Sequence, residues 1–150
     1  MQNLFTSSGA QTTINRINNL TPQTQAQWGK MNVAQMLAHC NVIYDMAMTN
    51  QYTQPGNFKK FLLKIFVKNG VIGPKPYPKN SRTAPDFIIA GERGFAAEKK
   101  KLVDYINQVQ KLGGTHFNGK ESHSFGPLTE NEWNTLFSKH LDHHLTQFAV

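Results

Sequence analysis

The chain has 150 residues, of which 39% are hydrophobic and 11% aromatic, and its formal net charge is +7. This length predicts one globular domain over residues 1–150, and the single Cys40 excludes an internal disulfide or a multi-cysteine zinc site. No apolar run approaches the roughly 20 residues that cross a bilayer, and the first residues do not resemble a secretory signal. We therefore expect a cytoplasmic protein without a membrane partner.

The positive charge is concentrated in residues 59–111, which hold twelve of the sixteen Lys and Arg residues and four acidic residues, so that twelve minus four gives +8. Such a stretch could bind an acidic partner or nucleic acid. Its charges are spread along amphipathic segments and form no nucleic-acid-binding motif. A solvated helix surface is therefore the simpler interpretation, and nucleic-acid binding is not favoured.

The first third of the chain predicts a short N-terminal helix over residues 12–20, a helical turn begun by Thr21-Pro22, and then a long helix. The long helix begins at Asn32, where Gln35 completes a capping box. His39 lies on the shoulder of its apolar face, where it could contact a neighbouring helix or bond a backbone carbonyl. Cys40 is predicted to be a small core residue.

A third helix follows Asn57, and the glycine of Asn69-Gly70 predicts its end. Its apolar positions recur with helical spacing at Phe58, Phe61, Leu62, Ile65 and Phe66. Residues 71–91 then form a long proline-rich loop, which is either a plain crossover connection or a lid that holds an anionic group.

A fourth helix is predicted to end at Gly113-Gly114, and the last helix begins with the capping box of Thr129 and Glu132. No stretch shows the alternating pattern of a strand. The most economical architecture is therefore an all-α four-helix bundle with a long crossover loop and a short N-terminal helix.

Three of the six histidines lie within five residues on the last helix. At about 100° per residue from Trp133, His140 lies near 340° and His144 near 20°, whereas His143 lies near 280°. His140 and His144 thus stack one turn apart on the apolar face, a spacing that lets two imidazoles reach one metal ion. The alternative is one hydrogen-bonded core histidine with solvated neighbours near the helix C-terminus, and a third ligand would decide between the two.

Several motifs resemble the DinB-like superfamily of proposed metalloenzymes (DinB/YfiT-like four-helix bundles), and more narrowly one of its branches of domains of unknown function. The resemblance covers about residues 28–148. Its motifs are Trp28-Gly29-Lys30-Met31-Asn32, Gln35-Met36-Leu37-Ala38-His39, Phe125-Gly126-Pro127-Leu128-Thr129, Glu132-Trp133 and Lys139-His140-Leu141-Asp142-His143-His144-Leu145.

The resemblance implies a divalent metal bound by His39, His140 and His144, with water completing the site. Zinc, nickel and iron all suit three imidazoles. Members of the superfamily include thiol-dependent S-transferases and maleylpyruvate isomerases. The implied function is a small metal-dependent enzyme of thiol transfer or hydrolysis that acts on a small molecule such as a low-molecular-weight thiol, as a homodimer. His143 and Asp142 are either outer partners of the ligands or exposed residues.

Two other functions compete with this one. A non-catalytic helical bundle would use the basic residues 59–111 to bind an acidic partner or nucleic acid. An iron site would combine two of the histidines with the carboxylate of Asp45. Asp45 is predicted on the polar side of its helix, near 120° from Val33, which disfavours the iron site.

Overall fold

A computed structural model describes all 150 residues, and helices dominate the fold, as the sequence predicts. One 3-10 turn, Pro85–Phe87, interrupts the long loop. Two short antiparallel strands, β1 (Glu121–Ser122) and β2 (Gly126–Pro127), form a hairpin that the sequence did not predict. No helix is long and apolar enough to cross a membrane. The helices are α1 (Ser7–Asn18), α2 (Val33–Met48), α3 (Asn57–Phe66), α4 (Lys68–Ile72), α5 (Phe95–Phe117) and α6 (Glu130–Gln147).

The two predicted capping boxes are confirmed. At the start of α2, the Asn32 side chain accepts from the Gln35 backbone N–H, and the Gln35 side chain accepts from the Asn32 N–H. Thr129 and Glu132 make the same reciprocal pair before α6. Because these bonds satisfy donors that a helix start leaves free, local sequence alone sets where both helices begin.

The helix α2 lies at the centre of the fold, where it packs against α5 and α6. Every residue from Val33 to Asp45 except Gln35 is buried. The helices α1 and α5 pack together on the other side of the core. A helix surrounded by neighbours buries residues outside its apolar stripe, and for this reason both His39 and Asp45 are buried.

Two predictions about the first 32 residues need correction. The N-terminal helix is longer and begins earlier than predicted, because Thr6 caps it by accepting from the Gly9 N–H. It is also packed against the core, with Ile14 and Ile17 buried. The predicted helical turn at Thr21-Pro22 is wrong, since the Thr24 hydroxyl binds the Thr21 N–H and closes a local turn there instead.

The predicted helix end at Asn69-Gly70 is also wrong. The helix α4 runs through Gly70 and stops before Gly73. Glycine inside an exposed helix costs only about 1 kcal/mol. In addition, the Lys139 ammonium donates to the carbonyls of Gly70 and Gly73, at 3.0 and 2.8 Å, and so satisfies groups at the end of α4.

The sequence predicts a helix end at Gly113-Gly114, and the structure has a break in α5 at Gly113. Gly113 has φ 72° and ψ 166°, outside helical geometry, and one more turn follows to Phe117. The apolar positions of α3 keep their helical spacing, but none of its residues is buried. The helix α3 therefore contributes no buried residue to the core and packs against it only through the partly buried Leu63, whereas α1 packs on α5.

Candidate metal centre

The structure brings His39, His140 and His144 together. Because α2 packs against α6, His39 faces the two α6 histidines, which lie one turn apart as predicted. Each of the three is at most 7% exposed. Their ligand nitrogens all lie within 4.8 Å of one another. The inward orientation of His140 and His144 is thus confirmed, and a third histidine lies beside them.

The distance between the first two side chains matches that of metal ligands. The Nε2 atoms of His39 and His140 are 2.9 Å apart. With metal–nitrogen bonds of 2.0 to 2.1 Å, two imidazole nitrogens are about 2.9 Å apart at a right angle and about 3.3 Å apart at the tetrahedral angle. The pair could bind one ion with little movement.

Hydrogen bonds to the outer nitrogens determine where the free lone pairs point. His39 Nδ1 is 2.8 Å from the Phe87 carbonyl, and His144 Nδ1 is 2.8 Å from Gln147 Oε1. A carbonyl oxygen only accepts, so both Nδ1 atoms carry the proton. The Nε2 atoms of both neutral rings are then unprotonated and available to a metal.

Gln147 was not identified from the sequence, and it orients His144. Its Nε2 donates to the Trp28 carbonyl over 2.6 Å, which fixes its oxygen toward His144. The backbone can approach so closely because residue 29 is glycine, with φ +85°, and a Cβ at this residue would lie 2.6 Å from the Gln147 amide nitrogen. The sequence feature that could have identified Gln147 is its position near 320° on the apolar face of α6, about one turn after His144.

His140 leaves one polar atom without a partner. Its Nδ1 is buried and makes no hydrogen bond. Nδ1 of His140 is an unpaired donor if Nε2 binds a metal, and an unpaired acceptor if Nε2 donates to His39, so it lacks a partner in both tautomers. A buried unpaired polar atom costs about 1–3 kcal/mol. The fit to a metal therefore rests on the Nε2 atoms of His39 and His140, which lie 2.9 Å apart.

Burial also keeps the cluster neutral. Desolvation lowers the pKa of His39, lowers that of His140 well below its usual range, and lowers that of His144 to about 3. Metals bind the neutral form of histidine, so this protonation state is compatible with a metal site near neutral pH. Three imidazoles without thiolate or carboxylate suit zinc, nickel, iron or cobalt.

The loop that begins at Gly73, after α4, covers this cluster. The Phe87 ring centroid lies 5.5 Å from His39 and 6.0 Å from His140, and that of Tyr77 lies 6.5 Å from His140. His143 stands outside the cluster and is only half-buried, with its ring 5.5 Å from Tyr77.

Two cavities flank the covered cluster. One, of about 420 Å³, is mainly apolar and lies on the far side of Phe87, between α2, α3 and α6. The other, of about 280 Å³, lies between Trp28, Tyr77, Lys139 and His143. None of the three clustered histidines lines either cavity. A small molecule in either cavity would therefore contact Phe87 or Tyr77, which cover the cluster, and not the three histidines themselves.

The candidate iron ligand Asp45 lies elsewhere, and its predicted place on a polar helix side is wrong. It is 5% exposed and accepts hydrogen bonds from the Tyr105 hydroxyl (2.5 Å) and the Lys101 ammonium (2.9 Å). The group that could hold a metal contains histidines alone. Cys40 is a buried core residue, as predicted, and burial raises the pKa of its thiol.

Ion pairs engage four of the twelve cations in residues 59–111 and two acidic residues of α6. Asp142 does not contact the clustered histidines, because Arg16 binds its carboxylate at 2.7 Å. The lysine pairs within residues 59–111 are Lys60–Glu121, Lys68–Glu132, Lys100–Asp104 and Lys101–Asp45. Their positive charge is thus partly neutralised within the fold, which weakens the case for a continuous nucleic-acid surface.

Fold and site together define a mostly helical protein with a buried three-histidine cluster that is compatible with a metal site. The chain belongs to the family described as "Protein of unknown function (DUF1569)", whose model matches residues 2–150. No curated protein and no solved structure matches it. The expectation of an uncharacterised domain is confirmed, and the wider DinB-like assignment stays a prediction.

Proposed function

We propose that residues 1–150 form a single DinB-like four-helix bundle that binds a divalent metal ion through His39, His140 and His144. The helices α1, α2, α5 and α6 would make the bundle, since α1 packs on α5 while α3 contributes no buried residue. The observation that carries the proposal is the convergence of three buried histidine nitrogens within 4.8 Å.

The protein's own residues prepare this site. Phe87 and Gln147 accept the outer protons of two histidines and so direct their Nε2 atoms inward. The rings of Tyr77 and Phe87 lie beside His140 and cover the cluster. A divalent ion with an open position would supply a Lewis acid that lowers the pKa of a bound water or thiol toward neutral.

We further propose that the chain is a small metal-dependent enzyme of thiol transfer or hydrolysis. The motif resemblance supports this class, and the flanking cavities offer room for a small-molecule substrate such as a low-molecular-weight thiol. A cytoplasmic location and a homodimeric state belong to the same proposal.

Metal analysis of protein purified without a polyhistidine tag tests the site. Replacing His39, His140 or His144 singly by alanine should reduce bound metal strongly, because each removes one of three ligands. His116→Ala is the matched control, since His116 is exposed on α5 and should leave metal content unchanged. Full metal retention by all three ligand variants would contradict the proposal.

Cobalt-loaded protein tests the reaction class in the same preparation. Titration with a low-molecular-weight thiol should produce a thiolate-to-cobalt charge-transfer band in the near ultraviolet. If cobalt is bound and no thiol produces the band, thiol transfer is wrong. The cobalt content measured in parallel separates that result from the absence of a metal site.

A further inference from the structure

The exposed side of α3 is the most unusual surface of the molecule. Six of the nine exposed large hydrophobic side chains in the whole chain lie within residues 58–67. Phe58 and Phe66 are each 77% exposed, Phe61 58% and Ile65 53%. Soluble proteins rarely leave so large a contiguous apolar patch uncovered, so a patch of this kind indicates a binding surface.

These side chains form one continuous strip. Taking Phe58 as zero, Phe61 lies near 300°, Ile65 near 340° and Phe66 near 80°, so the strip spans roughly 140° of the helix surface. With Leu62, they form what we call the α3 apolar face. Leu63, on the opposite side, packs against the core and lines the larger cavity. The helix is thus anchored by one side and presents the other outward.

Lysines flank the α3 apolar face on both sides. Lys59 lies near 100° and Lys64 near 240°. Both are exposed, whereas Lys60 is paired with Glu121 and Lys68 with Glu132. The helix contains no acidic residue. A partner that covers this face must therefore accept apolar side chains at its centre and offer negative charge on both margins.

We propose that α3 docks onto the surface of a bilayer that contains anionic lipids. The helix would lie in the plane of the interface, with the α3 apolar face at the acyl-chain boundary and Lys59 and Lys64 among the headgroup phosphates. No crossing helix is needed for this, and the proposal replaces the expectation that the chain has no membrane partner.

A second copy of the chain fits the same face less well. Pairing two α3 helices would set the lysines of both copies along one seam with no acidic residue of α3 to neutralise them. A ten-residue helix is also only about 15 Å long, which is short for an interface of about 800 Å² per partner. Charge and size therefore favour a lipid surface.

Vesicle flotation of the full chain tests the proposal. The protein should float with phosphatidylcholine vesicles that contain phosphatidylserine, should bind pure phosphatidylcholine vesicles less, and should be released by added salt. The double substitution Phe58→Ser with Phe66→Ser should weaken binding at least about tenfold, and Lys59→Glu with Lys64→Glu should remove the preference for phosphatidylserine.

Leu112→Ser is the matched control, because Leu112 is an exposed hydrophobic residue on α5, 37% accessible and outside the α3 apolar face. It should float like the unchanged protein. Circular dichroism of every variant checks that the fold is kept. The proposal is overturned if the chain does not float with anionic vesicles, if the phenylalanine variant floats equally well, or if the chain forms a dimer through α3 and ignores both vesicle types.

Discussion

The outer hydrogen bonds of the histidines distinguish this cluster from histidines that merely lie close together. His144 depends on Gln147, and Gln147 in turn is held by the Trp28 carbonyl. Trp28 and Gln147, which are 119 residues apart in sequence, therefore together orient the His144 ring and the lone pair of its Nε2. Loss of such an outer partner typically weakens metal affinity by about 10- to 100-fold.

Gln147→Leu should weaken metal binding by about 10- to 100-fold, because the substitution frees the His144 ring and its tautomer. Competition with a chromogenic chelator measures the affinity. Gln108→Leu, an exposed position on α5, should leave it unchanged. An unaltered affinity in the Gln147 variant would show that His144 is not oriented in this way.

The buried histidines should also make the metal-free protein sensitive to acid. The folded-state pKa of His144 is lowered to about 3 by desolvation, so the unfolded chain takes up this proton first as the pH falls. Stability is therefore complete above about pH 6.5 and is lost below it, at up to about 1.4 kcal/mol per pH unit for each such histidine.

Urea unfolding in the presence of a chelator between pH 7 and pH 5 measures this loss. His144→Gln should flatten the pH dependence, whereas His116→Gln, an exposed control, should not. An equal slope in both variants would show that His144 does not titrate as a buried group.

The helix boundaries near Gly70 and Gly113 show that both local sequence and tertiary packing determine where a helix ends. Gly70 and Gly113 both looked like helix stops, but only Gly113 has a positive φ, of 72°. Gly70 stays helical with open space around its Cβ position. A glycine ends a helix where the backbone adopts a conformation that other residues avoid, and sequence alone does not show which glycine does so.

Gly113→Ala should destabilise the protein by about 1–3 kcal/mol, because alanine is strained at that φ. Gly70→Ala is the matched variant and should be neutral or stabilising by up to about 1 kcal/mol, since alanine loses less entropy on folding. Thermal unfolding compares the two. Equal effects would mean that the break at Gly113 is not maintained in solution.

At the scale of the whole molecule, the candidate site joins two helices that are distant in sequence. His39 and His140 are 101 residues apart and belong to α2 and α6, which pack together in the core. Because the site exists only in the folded chain, a bound metal should stabilise the fold and not merely a segment of it.

Zinc added at about 100 times its dissociation constant should stabilise the folded state by about 2.7 kcal/mol. For a chain of this size, that corresponds to a rise in Tm of roughly 5–10 °C. Differential scanning calorimetry measures it, and His140→Ala should show no such rise. A rise of the same size in that variant would place the zinc somewhere else.

The helical nature of the fold, the starts of α2 and α6, and the inward direction of His140 and His144 could all be predicted from the amino-acid sequence. These features depend on neighbouring residues, since capping boxes and helical periodicity act within one or two turns. From residues alone His39 remained an open choice, and it was the family resemblance that named it as the third ligand.

The surroundings of these elements, in contrast, depend on tertiary packing. Because α2 is buried on nearly all sides, Asp45 contacts Lys101 and Tyr105 of α5. Its angular position on α2 did not predict these contacts. The backbone at Gly29 lies close to Gln147 of α6 and so allows Gln147 to orient His144. The apolar side of α3 lies outside the core. Periodicity shows that a helix has an apolar face, but only the packing of distant segments determines what that face meets.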